Sequence, residues 1–385
     1  MTETREIHRM ASYKLMIPGP VEVEDEVLSQ MASPVPVHYG DEWMEVYGET
    51  VDCLKRVFQT ENDLLIIGGP GSAALDASLG SLLAGGEKVL IPANGFFSRR
   101  LRAMARSYGL QVVVCDLPPE QAISAAAVEA HLQKEEDIQA LAVVHHETST
   151  GVLNPLPEIA AVAKEAGVPI IVDAVSSLGG VPLPVDEWGI DLCVTVPNKC
   201  LAAPPGVSLI SVSQRAWEMI ESKSDRSHGW YLNLQTWKQY ATEWASWHPY
   251  PTTMATNNIL ALLTSLRQLL TEGLETRYAR TAKAAEMTRV GLTDMGFEMF
   301  VEGPHASPLI TAAKGRPDIS IAEMARFLKD EWGILIGGGL DELAGKIFRV
   351  GHMGRAISPE YVEAFLSGVK DFIQRKGLEA GQSAG

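Results

Sequence analysis

Short apolar runs alternate with amphipathic stretches along the chain from residue 64 onwards. Helical patterns separate most of these runs and include residues 73–84, 98–108 and 157–165. Strands that alternate with helices indicate right-handed crossovers and a mostly parallel sheet, which makes the chain an α/β protein. The predicted strands are residues 64–67, 88–91, 111–115, 140–144, 169–173, 191–195 and 207–212. We therefore expect a seven-stranded sheet, whose last strand follows a Pro-Pro-Gly turn and pairs in hairpin fashion at an edge.

The segments that flank this pattern are predicted to form an arm, two helices and an aromatic region. Residues 12–21 suit an extended arm because Pro18-Gly19-Pro20 interrupts them. Helices are expected over 24–32 and 40–59. Residues 221–253 are rich in Trp, Tyr and His, which is typical of a core or a subunit interface.

The last third of the chain predicts a second, smaller domain. One long helix is expected from 257 to about 295, followed by strand, strand, helix, strand, strand and helix over 297–377. We therefore predict an N-terminal arm (1–22), a large α/β domain (23–275) and a small C-terminal α+β domain (276–385).

The composition is that of an ordinary globular protein of 385 residues, 46% hydrophobic and 21% charged. A net charge of −16 without a basic block argues against a nucleic-acid partner. The four cysteines have no metal-ligand spacing, so we expect free thiols in a reducing compartment and no metal site. No apolar run approaches the ~18 residues that cross a bilayer, and residues 1–10 lack the apolar core of a signal peptide. A cytoplasmic protein without membrane contact is expected.

Two predicted strands lead to residues of opposite charge. The run 169–173 ends on Asp173, and Lys199 follows the run 191–195. Because the carboxyl ends of parallel strands meet at one edge of a sheet, we expect the two side chains to lie close together. Pyridoxal 5'-phosphate (PLP) requires such a pair, since a lysine holds its aldehyde and an acid keeps its pyridine nitrogen protonated. We predict that Lys199 also moves the substrate proton. The alternative for Lys199 is an ordinary surface lysine, and the alternative for Asp173 is a structural cap of the next turn.

A glycine-rich turn precedes the helix predicted at 73–84. Gly71 and Ser72 end this turn, where close backbone approach and helix N-terminal amides suit a phosphate. Many turns between strands and helices are rich in glycine, so the interpretation depends on Asp173 and Lys199 in the same series of strands.

Arg349 ends a predicted strand in the small domain. Its guanidinium can hold a substrate carboxylate through two parallel hydrogen bonds, and a structural ion pair is the alternative. His352 follows closely and is left open between packing and function.

Four motifs, in this order, resemble the class V aminotransferases of PLP fold type I. They are His146-Glu-Thr-Ser-Thr-Gly-Val-Leu-Asn-Pro155, Val172-Asp-Ala-Val-Ser-Ser-Leu-Gly-Gly180, Pro197-Asn-Lys-Cys-Leu201 with Ala203-Pro-Pro-Gly206, and Arg349-Val-Gly-His-Met-Gly354. The nearest branch is that of the alanine–glyoxylate and serine–glyoxylate aminotransferases. The resemblance implies a homodimer whose active site lies at the subunit interface.

The resemblance also implies roles for individual residues. Phe97 stacks on the pyridine ring, and Val175 presses on its other face. Thr148 lies near the ring substituents, and Gly19 lines the carboxylate end of the substrate pocket. The phosphate is contacted by Gly71, Ser72 and Asn198 of one subunit and by Tyr250 and Thr253 of its neighbour.

We predict transfer of an amino group from alanine or serine to glyoxylate or pyruvate. The sequence also resembles pyridoxamine–pyruvate aminotransferase, which has an acidic residue where this chain has Pro70. Gly71 and Ser72, together with Tyr250 and Thr253, favour a tightly held phosphorylated cofactor instead. A PLP lyase such as a cysteine desulfurase needs a mobile cysteine in the C-terminal half, and no cysteine follows Cys200. A PLP-fold module without catalysis is disfavoured by the presence of Lys199.

Overall fold

The computed structural model describes residues 12–223 and 228–378. Residues 1–11 of the predicted arm, 224–227 of the aromatic segment and 379–385 of the predicted small domain lie outside the described residues. The strands are β1 (Lys14–Met16), β2 (Asp63–Gly68), β3 (Lys88–Ala93), β4 (Gln111–Asp116), β5 (Ile138–Val144), β6 (His146–Glu147), β7 (Val152–Leu153), β8 (Ile170–Asp173), β9 (Leu192–Thr195), β10 (Val207–Val212), β11 (Ile310–Lys314), β12 (Ile334–Gly338) and β13 (Ile347–Gly351). The helices are α1 (Asp25–Met31), α2 (Asp41–Phe58), α3 (Gly71–Leu82), α4 (Phe96–Ser107), α5 (Ala125–Lys134), α6 (Leu156–Glu165), α7 (Val185–Trp188), α8 (Gln214–Glu221), α9 (Leu234–Glu243), α10 (Thr256–Glu272), α11 (Leu274–Asp294), α12 (Ile321–Trp332) and α13 (Pro359–Arg375).

Seven strands form one sheet in the order β2-β10-β9-β8-β5-β3-β4. Every neighbouring pair is parallel except the two that involve β10, which is antiparallel to β2 and to β9. The predicted seven-stranded, mostly parallel sheet is confirmed. The predicted edge position of residues 207–212 is wrong, because β10 lies between two strands. All of its residues are buried, and a strand that is apolar on both faces suits the interior of a sheet.

Helices cover this sheet and leave one edge free for a site. Helix α3 packs against β8, β9 and β10, while α4 packs against β3, β4 and β5. The core between them includes Ile66, Ile171 and Val194, which are completely buried. Since β2, β3, β5, β8 and β9 run in the same direction, their carboxyl ends and the starts of α3 and α4 meet at one edge.

A second sheet contains four strands in the order β1-β12-β13-β11. Strand β1 belongs to the predicted arm but pairs in parallel with β12, and Lys14 aligns with Ile334. Met16 is completely buried in the core of this sheet, which explains why the segment is held there. The strand expected soon after residue 297 is reduced to a single bridge between Met299 and Ala313. The domain bounds at 22 and 275 stay a prediction.

The single long helix predicted from 257 to about 295 is wrong. Two helices, α10 and α11, occupy this stretch and meet at Gly273. Gly273 has a φ of +87° and a ψ of 139°, which no helical residue adopts. Apolar periodicity continues across this glycine, so the sequence pattern alone did not reveal the break. Helices α1 and α2, by contrast, differ from their predicted bounds by one residue at each end.

Two further observations bear on the predicted setting of the protein. Within the described ranges, no helix is long and apolar enough to cross a membrane. Cys53, Cys115, Cys193 and Cys200 are all buried and free. In the same part of the chain, no group of three or more His, Cys, Asp or Glu side chains comes together as a metal site.

Candidate active site

Asp173 and Lys199 line one cavity of about 540 Å³ at the carboxyl ends of the strands of the large sheet. Asp173 is the last residue of β8, and Lys199 lies in the turn that follows β9. The neighbouring ends of two parallel strands therefore bring the predicted pair together. Of the other predicted site residues, the cavity wall contains Gly71, Ser72, Phe97, Thr148, Val175 and Asn198.

Asp173 is a buried carboxylate, with 6% of its surface exposed. The backbone N–H of Val175 donates to it at 3.0 Å, and among the described residues it forms no ion pair. Burial raises the pKa of Asp173 to about 6; Glu147 adds to this rise, while the Val175 N–H, Arg100 and Lys199 oppose it. The ionised form of such a buried acid is stabilised by a cationic group placed beside it.

Lys199 is held against the N-terminal segment. Its Nζ donates a hydrogen bond to the carbonyl oxygen of Pro18. The neighbouring Gly19 leaves room for the lysine, because a Cβ there would lie 2.5 Å from Nζ. Burial lowers the pKa of Lys199 to about 8, and the positive charges of Arg349 and Arg100 lower it further, against the effects of Cys200 and Asp173. A fraction of the amine is therefore uncharged near neutral pH and able to attack an aldehyde.

The start of α3 provides an anion site at one end of the cavity. The helix begins at Gly71, so the amides of Gly71 and Ser72 at its start and the helix dipole favour negative charge there. Gly71 is packed closely, since a Cβ there would lie 2.9 Å from Cγ2 of Val175. Pro70 directly precedes the helix with φ −73° and ψ 167°, and its carbonyl accepts from the Ala73 N–H at 2.8 Å. Proline thus fixes the entry of the chain into α3.

The start of α4 carries an aromatic platform into the cavity. The buried carboxylate of Glu147 accepts hydrogen bonds from the backbone N–H groups of Phe97, at 3.1 Å, and Ser98, at 2.9 Å. Gly95 makes this possible, because a Cβ there would overlap the Glu147 side chain. The Arg100 guanidinium lies over the Phe97 ring, 4.7 Å from its centroid. Helix α4 therefore presents a fixed ring and a cation to the cavity.

A cluster of three polar side chains lies on the wall near Asp173. The Ser176 hydroxyl is 2.7 Å from Oγ1 of Thr148 and 3.0 Å from Nδ1 of His146. All three side chains are buried and line the cavity. Thr148 thus faces the cavity, and its contact with the ring substituents of a cofactor stays a prediction.

Arg349 is buried close to the cavity without lining it. Its Nε donates to the Gly338 carbonyl at 2.7 Å, and its Nη1 donates to the Thr148 carbonyl at 2.9 Å. Burial lowers the pKa of Arg349 to about 10, and Glu147 opposes this shift. The structural ion pair considered as an alternative is not formed within the described residues. Its binding of a substrate carboxylate stays a prediction.

His352 lies outside the cavity. The imidazole is completely buried, and its Nε2 is 2.9 Å from Oγ1 of Thr311. Packing is the interpretation that this position favours.

Tyr250 and Thr253 do not line the cavity of their own chain. The Tyr250 side chain, however, is completely buried in its own chain. Its hydroxyl donates to the His38 carbonyl and accepts from Nε1 of Trp43 at 2.5 Å. That this hydroxyl reaches the phosphate of a neighbouring subunit stays a prediction. Thr253 is exposed, and its role stays a prediction.

Three polar or charged side chains of the cavity wall escaped the sequence analysis as site residues: Arg100, His146 and Ser176. Each had a positional signal. Arg100 lies three residues after Phe97 on one helix face, and Ser176 lies three residues after Asp173. His146 begins a quoted motif, but nothing in the motif indicates which way its imidazole points.

The residues of this site fit PLP. The start of α3 suits the phosphate, Phe97 and Val175 suit the faces of a flat ring, and Asp173 suits a protonated ring nitrogen. Lys199 is the amine for the aldehyde. Nε2 of His146 is a further buried polar atom of the wall that lacks a partner among the described residues, as expected of a wall built around a ligand.

Comparison with known proteins agrees with this geometry. Residues 23–356 match the family described as aminotransferase class-V. An uncharacterized aminotransferase of Methanocaldococcus jannaschii is 41% identical over 369 residues, covering 96% of this chain and 94% of that protein. The pyridoxamine–pyruvate transaminase of Mesorhizobium japonicum is 31% identical, covering 93% of this chain and 91% of that protein. The solved structure of an alanine–glyoxylate aminotransferase from Nostoc sp. matches with a TM-score of 0.91 at 32% identity, covering 96% of this chain and 97% of that chain. The chain therefore belongs to the class-V aminotransferases, enzymes of PLP fold type I that use PLP as their cofactor.

Proposed function

We propose that this enzyme transfers an amino group from a small amino acid, alanine or serine, to a small 2-oxo acid, glyoxylate or pyruvate. The observation that carries the proposal is the meeting of Lys199 and Asp173 at one cavity that begins at the amides of α3. The relatives support the substrate class, since they include an alanine–glyoxylate and a pyridoxamine–pyruvate enzyme.

We assign a role to each side chain on this basis. The start of α3 and Asn198 hold the phosphate, while Phe97 and Val175 hold the flat ring between them. Bound PLP supplies a positively charged ring that withdraws electrons from the substrate α-carbon.

The remaining roles concern protons and orientation. Asp173 keeps the ring nitrogen protonated, and Lys199 takes a proton from the substrate α-carbon and returns one. Arg349 and Gly19 form the carboxylate end of the substrate pocket, and Thr148 contacts the ring substituents.

Pyridoxamine–pyruvate transamination is the second candidate. The 31% identity with the Mesorhizobium enzyme favours it. The anion site at the start of α3 favours a phosphorylated cofactor instead, because free pyridoxamine has no phosphate to place there. Binding of PLP and of pyridoxal, measured side by side by equilibrium dialysis, separates the two candidates.

We also propose that the enzyme is a homodimer. The stretch from residue 28 to 39 exposes Leu28, Met31, Val35, Val37 and Tyr39. Tyr39 contacts the exposed Trp247 with ring centroids 6.0 Å apart, and further aromatic contacts continue the surface through Trp244 and Tyr240 to Trp230. A continuous apolar surface of this kind is typical of a subunit interface. A second copy of the chain is the partner that the resemblance implies.

A cytoplasmic location forms part of the proposal. Four free, buried cysteines suit a reducing compartment, where thiols are not oxidised to disulfides. Fractionation of the source cells, followed by immunoblotting, tests this location.

The central experiment is an amino-transfer assay with the purified protein. We expect the protein loaded with PLP to form glycine from glyoxylate when L-alanine or L-serine is the donor. Lys199→Ala removes the amine that holds the cofactor and is expected to abolish turnover. The matched control is Lys164→Ala, which changes an exposed lysine on α6 and leaves turnover intact. Absence of turnover with every small amino acid tested, in a protein that retains PLP, overturns the proposal.

A further inference from the structure

Tyr231 connects the aromatic segment to the turn that precedes α3. Its hydroxyl donates a hydrogen bond to the carbonyl oxygen of Gly68 at 2.6 Å. Gly68 is the last residue of β2, and Gly69 and Pro70 lead from it into the helix. Tyr231 is not among the described residues that line the cavity. Any effect of its hydroxyl on a bound ligand therefore passes through the turn.

The ring of Tyr231 has a fixed position. Trp237, which is almost completely buried, packs edge-on against this ring with the centroids 5.8 Å apart. Its Nε1 also donates to the carbonyl oxygen of Tyr231 at 2.6 Å. Burial raises the pKa of the Tyr231 hydroxyl, against the effect of the hydrogen bond to Gly68. The hydroxyl is therefore protonated near neutral pH and serves as a donor to the turn.

A second hydrogen bond holds the same turn from the loop before β10. The Gly69 N–H donates to the carbonyl oxygen of Gly206 at 3.0 Å. This loop is itself held, because Nδ2 of Asn258 donates to the carbonyl oxygen of Pro205 at 2.7 Å. Pro205 and Gly206 both line the cavity. The turn is thus fixed by one hydrogen bond at its carbonyl group and one at its N–H group.

The position of the turn determines where the first amides of α3 point. The N–H groups of Gly71 and Ser72 lie at the start of the helix, where no carbonyl of a preceding turn accepts from them. An anion is bound by direction as well as by charge, since each N–H has to point at an oxygen of the anion. Pro70 fixes its own φ but has no N–H with which to hold the turn. The Tyr231 hydroxyl supplies a contact that the proline cannot.

We propose that Tyr231 is a positioning residue of the phosphate site, which holds the turn so that the amides of Gly71 and Ser72 point at the cofactor phosphate. The inference rests on the proposed function, because that proposal places the phosphate at the start of α3. It gives one residue of the aromatic segment a role in cofactor binding.

The test compares two ligands that differ by the phosphate group. Pyridoxamine 5'-phosphate and pyridoxamine both lack an aldehyde, so neither attaches covalently to Lys199. Tyr231→Phe keeps the ring that packs on Trp237 and removes only the hydroxyl. We expect this variant to bind pyridoxamine 5'-phosphate about three- to tenfold more weakly, and pyridoxamine less than about twofold more weakly. Equilibrium dialysis of the protein without PLP, with pyridoxamine at millimolar concentrations, gives the dissociation constants.

A second readout follows the phosphate itself and does not depend on the affinity for pyridoxamine. The phosphorus NMR resonance of bound pyridoxamine 5'-phosphate responds to the hydrogen bonds that the phosphate accepts, so we expect it to move in Tyr231→Phe. Tyr108→Phe is the matched control. Tyr108 is also partly buried, but it lies at the end of α4 and does not line the cavity. This control is expected to leave the resonance and both dissociation constants unchanged.

The outcomes separate this inference from the proposed function. Equal weakening of both ligands, or an unchanged affinity for pyridoxamine 5'-phosphate, overturns the role of Tyr231 while the proposed transamination stands. A phosphorus resonance that stays in place, or that moves equally in Tyr231→Phe and Tyr108→Phe, also overturns this role. If the wild-type protein does not bind pyridoxamine 5'-phosphate, the proposed function itself fails.

Discussion

Lys199 and Asp173 both lose most of their contact with water, and the loss acts on them in opposite directions. Burial lowers the pKa of the lysine to about 8 and raises that of the acid to about 6. Between these values the aspartate is ionised while a useful fraction of the amine is uncharged. A cofactor that needs a nucleophilic amine and an anionic partner finds both near neutral pH.

The first prediction concerns the pH dependence of cofactor attachment. Only the uncharged amine of Lys199 attacks the aldehyde, so the rate of covalent attachment to the empty protein rises as pH increases and levels off above a midpoint near 8. Stopped-flow absorbance between pH 7 and 10 measures this rate while Asp173 stays ionised. A midpoint near the ordinary lysine pKa, or a flat profile, contradicts the assigned environment.

The second prediction concerns Gly19 as a contact of Lys199. In Gly19→Ala the new Cβ lies 2.5 Å from Nζ and displaces the amine, so covalent attachment of PLP slows by about tenfold or more. The matched control is Gly86→Ala. Gly86 also has a positive φ, +89° against +108°, but nothing lies within 4 Å of its Cβ position. We expect Gly86→Ala to introduce similar backbone strain without slowing the covalent attachment of PLP. Equal slowing in both variants would assign the effect to backbone strain alone.

Single residues were predicted well where their position along a strand was enough. Lys199 and Asp173 follow apolar runs, and parallel pairing brings such strand ends together. The contacts of Tyr250 within its own chain were not predicted, because the partners of its hydroxyl, His38 and Trp43, lie more than 200 residues away in sequence. His146 was missed because the direction of a side chain depends on the strand in which it lies.

At the scale of elements, the start of α4 is fixed by a carboxylate from another part of the chain. The Glu147 carboxylate accepts hydrogen bonds from two backbone N–H groups of the helix and from the hydroxyls of Ser98 and Ser149. An acid at a helix N-terminus also interacts favourably with its dipole. The position of the Phe97 ring therefore depends on Glu147 of β6, which lies 50 residues later in the chain.

The third prediction concerns this helix start. Glu147→Ala leaves buried donors without a partner and lowers the free energy of unfolding by about 2–3 kcal/mol, whereas the exposed Glu129 changed to Ala lowers it by less than about 0.5 kcal/mol. Gly95→Ala forces a Cβ into the Glu147 side chain and is also destabilising. Because Glu147→Ala removes that overlap, the two effects combine to less than their total. Urea unfolding of the wild-type protein, the three single variants and the variant that combines Glu147→Ala with Gly95→Ala measures these effects. Full additivity contradicts the packing described.

The fourth prediction concerns the break between α10 and α11. Gly273→Ala places a side chain at φ +87° and is expected to lower the free energy of unfolding by about 1–2 kcal/mol. Gly48→Ala is the matched control inside α2, where a Cβ meets nothing within 4 Å and alanine favours the helix. It is expected to raise the free energy of unfolding by about 0.5–1 kcal/mol. Chemical denaturation that shows the same sign for both variants contradicts this account.

Elements were predictable where the local pattern and the tertiary environment agree. Helices α1 and α2 start next to turn residues and carry a regular apolar face, so their bounds follow from sequence. The break at Gly273 and the interior position of β10 were not predictable, because periodicity gives the type of an element and not its neighbours. Strand β1 has three residues and, among the described strands, pairs with β12 alone.

At the scale of the whole molecule, the apolar surface between residues 28 and 39 and Trp247 is the basis of the fifth prediction. Light scattering coupled to gel filtration is expected to give twice the chain mass of 41.7 kDa. Val35→Asp combined with Val37→Asp places two charges on this surface and is expected to yield monomers. Val290→Asp changes another exposed valine, on α11, and leaves the dimer intact. A monomeric wild-type protein rules out the proposed assembly.

The pairing of β1 with β12 sets an order of events during synthesis. Lys14 leaves the ribosome roughly 320 residues before its partner Ile334, which at about 5–20 residues per second is a delay of roughly 15–60 seconds. Until then the first strand lacks its pairing partner, so Pro18 and Gly19, which follow it directly, are positioned against Lys199 without the support of β12. The nascent chain therefore completes its lysine environment only near the end of translation, and a truncated product that lacks β12 carries the reactive amine without its surroundings.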